Sequence, residues 1–311
     1  MPNFTRPRIF RPPSEASSYY LPFTSGCSNN TCTFCYYYGS KLQVRDIDEV
    51  KQEIDALHLF KTKGITVPGM DRTVYILASQ WDGRRVFLQD GDALVYPFAK
   101  LLEGLDYLNE KFPNLERIAI YATAQDILRR SVDELKQIGE RKLTIFYIGL
   151  ESGDDRILKD IGKNTHVAEM VAAAQRIEEA GLTLSVMVIL GLGGVERSNE
   201  HALATADVLS KMDPEYGAAL TLTVVPGTPM HDMIERGEFH PVSPFQSLTE
   251  LRTIIEHLHV THCFFSSMHA SNYLTIRGTL PQDKASMLAR LDQVIQKGDA
   301  RALRPEGFRG L

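Results

Sequence analysis

Hydrophobic residues along the chain alternate between short continuous runs and longer stretches with helical spacing. Runs without polar alternation are typical of strands covered on both faces, as in a parallel sheet. Strands are predicted at 19–23, 85–92, 116–124, 143–151, 182–191 and 217–225. Helices are predicted between them at 46–61, 97–111, 131–140, 168–180 and 198–212. Because parallel strands need helical crossovers of this kind, the pattern predicts an α/β fold.

The predicted architecture is a partial or complete (β/α) barrel of about six parallel strands with a C-terminal extension. A doubly wound open sheet is the competing architecture, and in both cases ligands bind at the carboxyl ends of the strands. Three regions are predicted: an irregular N-terminal arm (1–18), the barrel core (19–230) and an extension packing on the barrel (231–311). The extension is predicted to contain helices at 247–257 and 282–296, a strand at 263–268 and an irregular stretch after it.

Composition and charge narrow the class of protein. With 311 residues, 43% of them hydrophobic and 23% charged, the chain has an ordinary globular composition. The net charge of −5 without a basic run disfavours a nucleic-acid surface. The most apolar stretch, 182–194, is shorter than a bilayer span, and the N-terminus lacks the apolar core of a secretory signal. We therefore expect a cytoplasmic protein with no membrane association.

Three of the four cysteines lie within nine residues, directly after the first predicted strand. Cys27, Cys32 and Cys35 have the spacing C-x4-C-x2-C, whereas Cys263 lies far along the chain. Clustered thiols in a reducing compartment indicate a metal site more than a disulfide framework. Zinc is one alternative, but structural zinc sites normally bring two pairs of ligands. A four-iron cluster held by three cysteines leaves one iron open, which is typical of a catalytic site.

A barrel of βα units with a three-cysteine loop after its first strand resembles the radical S-adenosylmethionine (SAM) superfamily. The resemblance extends from about residue 19 to residue 229 and implies a [4Fe-4S] cluster bound by Cys27, Cys32 and Cys35. The commonest spacing in that family has one residue fewer between the first two cysteines. Phe34, before the last cysteine, matches an aromatic position that shields the cluster from water.

Two acidic motifs of the chain resemble SAM-binding motifs of that superfamily. Asp90, Gly91 and Asp92 follow the second predicted strand, where the family binds the amino group of SAM, and Asp92 is the candidate for that contact. The segment 148–158, IGLESGDDRIL, resembles the subgroup that contains methylthiotransferases and oxygen-independent coproporphyrinogen oxidases. The resemblance implies that Glu151 binds the ribose hydroxyls.

Further SAM contacts are implied at the ends of other predicted strands. Gly191 lies in the glycine-rich run that ends the fifth strand and borders adenine in the family. Val225 precedes a PGTP segment of the same subgroup and is a candidate backbone partner for adenine. Tyr36, after the third cysteine, is a candidate backbone contact for adenine, and Thr123, at the end of the third strand, is a candidate residue of the SAM pocket.

The resemblance also implies the chemistry. SAM chelates the open iron, an electron from a donor such as flavodoxin or ferredoxin cleaves its C5′–S bond, and the 5′-deoxyadenosyl radical abstracts hydrogen from the substrate. The absence of further cysteines for an auxiliary cluster and of an appended basic domain favours a small-molecule substrate over nucleic acid. His269, Asn272, Tyr273 and Arg277 are candidate substrate contacts, or equally residues that pin the last helix.

Two competing functions stay open from the sequence. One is a non-catalytic barrel that binds zinc or an iron–sulfur cluster as a carrier or sensor. The other is a radical SAM enzyme that modifies RNA. The identity of the substrate and the reaction after hydrogen abstraction have no signature in the residues.

Overall fold

A computed structural model describes residues 4–310 of the chain as an α/β fold. The strands are β1 Tyr19–Pro22, β2 Thr24–Ser25, β3 Gln43–Val44, β4 Arg85–Gln89, β5 Arg117–Tyr121, β6 Leu143–Glu151, β7 Thr183–Leu190, β8 Tyr216–Thr221, β9 Cys263–Ser266 and β10 Arg277–Leu280. The helices are α1 Ile47–Lys63, α2 Arg72–Gln80, α3 Phe98–Lys111, α4 Ala124–Leu128, α5 Val132–Glu140, α6 Asp155–Asp160, α7 Val167–Glu179, α8 Ser198–Met212, α9 Pro229–Glu235, α10 Pro244–His257 and α11 Lys284–Lys297.

Eight strands form one sheet in the order β1-β4-β5-β6-β7-β8-β9-β10. The pairs β1–β4, β4–β5, β5–β6, β7–β8 and β8–β9 are parallel. The last strand, β10, is antiparallel to β9, and β2 and β3 form a separate antiparallel pair. The predicted α/β class is therefore confirmed, and the sheet contains the six predicted core strands, the strand predicted in the extension (β9) and β10.

The chain divides into two compact units. The first unit comprises the described residues up to Asn30 together with Ser40–Tyr147 and Arg176–Thr183. The second unit comprises Thr31–Gly39, Ile148–Gln175 and the described residues from Leu184 onward. The chain passes from one unit to the other within the cysteine loop, after Asn30, and again within β6, after Tyr147.

Residues 4–18 are bound to the first unit through a buried carboxylate. Glu53 of α1 is fully buried and accepts hydrogen bonds from the Arg6 guanidinium (2.9 Å), Arg45 (2.6 Å) and the Tyr19 hydroxyl (2.7 Å). Burial alone would raise the pKa of Glu53, but the two guanidinium groups lower it below its usual value. Three donors thus stabilise one buried charge and bind the N-terminal segment to α1.

Helix boundaries follow from local chemistry. Asp46 caps α1 by accepting the Asp48 N–H at 2.8 Å, and Gly64, with φ of 70°, ends it in a left-handed turn. Helix α10 begins at Pro244 and has a capping box formed by Ser243 and Gln246. Among the described residues, no helix combines the length and the apolar character needed to cross a membrane.

Candidate functional site

The start of the cysteine loop is bound to the acidic motif that follows β4. The Gly26 N–H donates to Oδ2 of Asp90 at 2.9 Å, and Cys27 Sγ lies 3.8 Å from the Gly91 carbonyl oxygen. The Ser28 hydroxyl donates to Oδ2 of Asp92. Three consecutive loop residues therefore contact three consecutive motif residues, because the parallel strands β1 and β4 end side by side.

Asp92 forms a pair of close carboxylates with Asp126 of α4. The Ser28 hydroxyl lies 3.3 Å from Oδ2 of Asp126, and Oδ1 of the fully buried Asp92 has no hydrogen-bond partner within the described chain. Burial raises the pKa of Asp92 well above its usual range, and the neighbouring Asp126 raises it further. Such an acceptor suits a cationic donor.

Asp126 takes the opposite role in the pair. Burial alone would raise its pKa, but hydrogen bonds involving Asp92, Thr123 and Arg129 lower it below its usual value. Thr123 donates to Oδ2 of Asp126 at 2.7 Å, and Arg129 donates to Oδ1 at 2.7 Å. The predicted residue Thr123 therefore lies beside Asp126, with its hydroxyl 3.5 Å from Oδ2 of Asp92.

The second part of the cysteine loop packs within the second unit. Cys32 is buried and Cys35 partly buried, and the Cys35 N–H donates to the Cys32 carbonyl at 3.1 Å. The Thr33 N–H donates to the Ile161 carbonyl at 2.8 Å. The side chain of Phe34 packs on an apolar cluster of the second unit: Ile157, Leu158, Ile161, Leu192 and Met230. The role of Phe34 in excluding water stays a prediction, and the predicted residue Tyr36 is 44% exposed.

Glu151 ends β6 in an unusual backbone conformation. Its φ of 62° lies in the left-handed region, which residues other than glycine seldom adopt. Its carboxylate pairs with the Lys163 ammonium at 2.8 Å. A Cβ at position 149 would lie 2.0 Å from Oε1 of Glu151, so glycine at this position leaves room for the carboxylate in its observed rotamer. The geometry holds a carboxylate at the carboxyl end of a central strand.

Two further predicted SAM contacts lie in turns of the second unit. Gly191 directly follows β7 with φ of 88°, and its N–H donates to Oε2 of Glu250 at 2.6 Å. Val225 lies in the turn before α9, where its carbonyl accepts the Thr228 hydroxyl at 2.7 Å. These contacts fix both turns.

The four predicted substrate residues make contacts within the second unit. Asn272 is buried, with its amide donating to the carbonyls of Ala219 (2.8 Å) and Ser267 (3.0 Å). His269 bonds Ser271 at 2.9 Å, and the Tyr273 hydroxyl donates to Glu306 at 2.7 Å. Arg277 is exposed and lies in β10, so the predicted irregular stretch ends in a strand. The substrate role of these residues stays a prediction.

The family model described as "Radical SAM superfamily" matches residues 21–207, well over half of the chain. The chain belongs to the radical SAM superfamily. Members of this superfamily are enzymes that use a [4Fe-4S] cluster and SAM, so the predicted enzyme class and cofactors are confirmed. A non-catalytic metal-binding barrel is accordingly not favoured.

Individual relatives of this radical SAM protein are about a fifth to a quarter identical to it over the aligned segments. The heme chaperone HemW of Bacillus subtilis is 22% identical over 241 residues, covering 76% of this chain and 57% of the relative. A tRNA-2-methylthio-N(6)-dimethylallyladenosine synthase of Ruegeria sp. is 24% identical, covering 80% and 52%. The chain thus spans about half the length of the curated relatives it matches.

A solved structure shows the same fold. Coproporphyrinogen III oxidase (HemN) from Escherichia coli aligns with a TM-score of 0.53 and 16% identity, covering 77% of this chain and 51% of that one. Together with the relatives, it confirms the predicted resemblance to the methylthiotransferase and coproporphyrinogen-oxidase subgroup. Since some relatives are named as tRNA-modifying enzymes, the comparison does not support the expectation that nucleic acid is an unlikely partner.

Several site residues had no signal in the sequence pattern. Asp126, Lys163 and Glu250 lie outside every predicted motif, and each contacts a motif residue only through tertiary structure. Ser28 adjoins Cys27, and its position next to a predicted ligand was the one available clue.

Proposed function

We propose that this radical SAM protein cleaves SAM reductively and abstracts a hydrogen atom from a small-molecule substrate. One observation carries the proposal: residues 26–28 of the cysteine loop contact the acidic motif 90–92, one residue to one residue. The loop that binds the cluster in this superfamily is thus joined directly to the carboxylates suited to the amino group of SAM.

The residues present fit both cofactors. Three thiols on one short loop are soft ligands suited to iron, and three ligands leave one of four irons for another molecule. The buried Oδ1 of Asp92, without a donor in the described chain, fits the ammonium group of an amino acid. When bound, the cluster and SAM supply a 5′-deoxyadenosyl radical.

Each proposed residue has a distinct role. Asp92 accepts hydrogen bonds from the amino group, with Asp90, Gly91 and Thr123 beside it, and Glu151 accepts those of the ribose hydroxyls. Backbone groups of Tyr36, Gly191 and Val225 border the adenine. Phe34 excludes water beside the cysteine loop, which protects a reactive intermediate from solvent.

The substrate class, the substrate contacts, the electron donor and the compartment are also proposed. A small-molecule substrate is supported by the net charge of −5, which gives no general attraction for phosphate backbones. His269, Asn272, Tyr273 and Arg277 are proposed substrate contacts, flavodoxin or ferredoxin is the proposed electron donor, and the proposed compartment is the cytoplasm. An RNA substrate is the second candidate, because several relatives are named as enzymes that modify tRNA.

Reconstitution tests the proposal. Protein reconstituted anaerobically with iron and sulfide should hold about four irons per chain and form 5′-deoxyadenosine from SAM and dithionite. Cys32→Ser should lose both the iron and the product. Cys263→Ser is the matched control and should keep both, because Cys263 is a buried cysteine of β9 outside the loop. Wild-type protein that holds four irons and forms no 5′-deoxyadenosine would contradict the proposal.

A further inference from the structure

Glu250 is a buried carboxylate that no SAM motif contains. It lies on α10, beyond residues 21–207 that match the family model, and is 2% exposed. Helix α10 packs on α8, whose first residue is Ser198. An ionised group at such a position loses its hydration, and burial raises the pKa of Glu250 to about 7.

Both oxygens of Glu250 are bound by donors from the segment that follows β7. Oε2 accepts the Gly191 N–H at 2.6 Å, and Oε1 accepts the Ser198 hydroxyl at 2.6 Å. Gly191 is the residue at which the chain leaves β7 with a positive φ. The carboxylate therefore fixes the direction in which the glycine-rich turn 191–194 departs from the strand.

His201 of α8 binds the same strand end from a neighbouring position. The Ile189 carbonyl, 3.1 Å from Nε2, can only accept, so Nε2 carries the proton. Nδ1 then accepts the Ser152 hydroxyl at 2.8 Å. Burial lowers the pKa of His201 to about 4, which agrees with a neutral ring that donates once and accepts once. Nε2 also lies 3.9 Å from Oε2 of Glu250.

These contacts join the ends of two adjacent strands. Ile189 and Gly191, on either side of Leu190 at the end of β7, are each held by one buried side chain. Ser152, bound to His201, directly follows Glu151 at the end of β6. The residues proposed to contact the ribose and the adenine are thus linked through His201 and Glu250 to a helix outside the matched segment.

We propose that Glu250 is a positioning residue for SAM, which acts by holding the Gly191 amide and, beside His201, the end of β7. The proposal rests on the proposed function, since it assumes that the turn 191–194 borders the adenine. Glu250 touches no reacting atom. Its effect is on the affinity for SAM, through the preorganisation of the turn.

Four variants test this role in the reconstituted protein. Glu250→Leu removes both acceptors. Glu250→Asp keeps a carboxylate and shortens the side chain by one methylene, which withdraws the acceptors from Gly191 and Ser198. Glu250→Gln keeps an oxygen for the Gly191 N–H, and Glu256→Leu is the control, an exposed glutamate of the same helix. Two readouts are measured: the dissociation constant of SAM by equilibrium dialysis, and hydrogen exchange of the amides of 190–194 without SAM.

The expected pattern separates positioning from general stability. Glu250→Leu and Glu250→Asp should weaken SAM binding about tenfold or more and speed exchange in 190–194, with iron content unchanged. Glu250→Gln should stay within about threefold of wild type, and Glu256→Leu should match it. Should Glu250→Leu fail to fold, Glu250→Asp decides.

Two results would overturn the inference. One is wild-type affinity and exchange in Glu250→Asp. The other is a loss of affinity in Glu250→Gln as large as in Glu250→Leu, since the amide oxygen replaces the acceptor. The wild-type protein distinguishes failure of the proposed function from failure of this inference. If the reconstituted wild type has no measurable affinity for SAM, the proposed function itself is contradicted.

Discussion

Asp92 and Asp126 place two carboxyl groups close together in a buried environment. Burial and the neighbouring Asp126 favour the protonated form of Asp92, while Asp126 stays ionised through its bonds to Thr123 and Arg129. An ammonium group bound at Oδ1 of Asp92 would favour the ionised form of Asp92, because its positive charge offsets the effect of Asp126. The pair is therefore suited to an ammonium group, whose positive charge would be placed beside two carboxyl groups.

We expect substitution of either aspartate to weaken SAM binding, and the effect to be larger for Asp92 than for Asp126. Asp92→Asn removes the negative charge and replaces one acceptor oxygen with an NH2 donor, and should weaken SAM binding by at least about tenfold, or 1.4 kcal/mol. Asp126→Asn leaves Asp92 in place and should weaken it less, by about threefold. Equilibrium dialysis of iron-loaded proteins measures both values. Asp133→Asn, in the exposed first turn of α5, is the control. An Asp92→Asn variant with wild-type affinity would contradict the role of Asp92.

Asp92 and Glu151 were predicted because their motifs resemble radical SAM motifs, each at the end of an apolar run predicted as a strand. No comparable signal in the sequence indicated Asp126 or Lys163. Asp126 belongs to the five-residue helix α4, which is too short for an apolar period. Its approach to Asp92 depends on the pairing of β4 with β5, which the hydrophobic pattern does not specify.

Helix α10 carries a carboxylate whose protonation should be visible in the stability of the protein. In the folded chain the pKa of Glu250 is raised from 4.5 to about 7, so folding favours the protonated form. The stability that this proton contributes is complete below pH 4.5 and is lost as the pH rises to about 7. His201 acts in the opposite sense, since its lowered pKa of about 4 costs stability as the pH falls below 6.5.

Urea unfolding of Glu250→Gln and wild type at pH 5.5 and pH 8 measures the contribution of the Glu250 carboxylate to the pH dependence of the unfolding free energy. The amide does not titrate, and the other titratable groups are present in both proteins. His201, with a pKa of about 4 in the folded chain, is neutral there at both pH values. Between the two pH values, wild type should lose about 2 kcal/mol of unfolding free energy relative to Glu250→Gln. An equal difference at both pH values would show that Glu250 is ionised throughout.

Long helices with a clear hydrophobic period were predicted close to their observed bounds, and several short elements were missed. Helix α8 was predicted at 198–212 and is found at Ser198–Met212, since its buried residues recur along one face over four turns. No element was predicted between residues 62 and 84, where α2 has only Val74 and Ala78 buried and leaves Ile76 exposed. Helix α9 has seven residues and starts at Pro229, so its sequence resembles a turn.

At the scale of the whole molecule, the pattern of strands and crossovers was sufficient for the α/β class but not for the extent of the sheet. Strand β9 was predicted as a short strand at 263–268, and the hydrophobic pattern gave no pairing for it. Its pairing with β8, and that of β10 with β9, extends the sheet to eight strands. Four-residue strands carry too few positions to specify a partner.

The whole-molecule charge predicts weak, nonspecific binding of transfer RNA, even though several relatives are named for acting on it. A net charge of −5 repels phosphates, so at about 150 mM salt the dissociation constant should be no tighter than the nonspecific range of roughly 10⁻⁶ to 10⁻⁴ M. Fluorescence anisotropy with labelled tRNA measures it, and a scrambled RNA of the same length is the control. Submicromolar affinity for tRNA, at least tenfold above that for the scrambled RNA and falling steeply with salt, would contradict the small-molecule proposal. It would direct the search for a substrate to modified nucleosides, because charge repulsion of this size is overcome only by a local basic surface built for RNA.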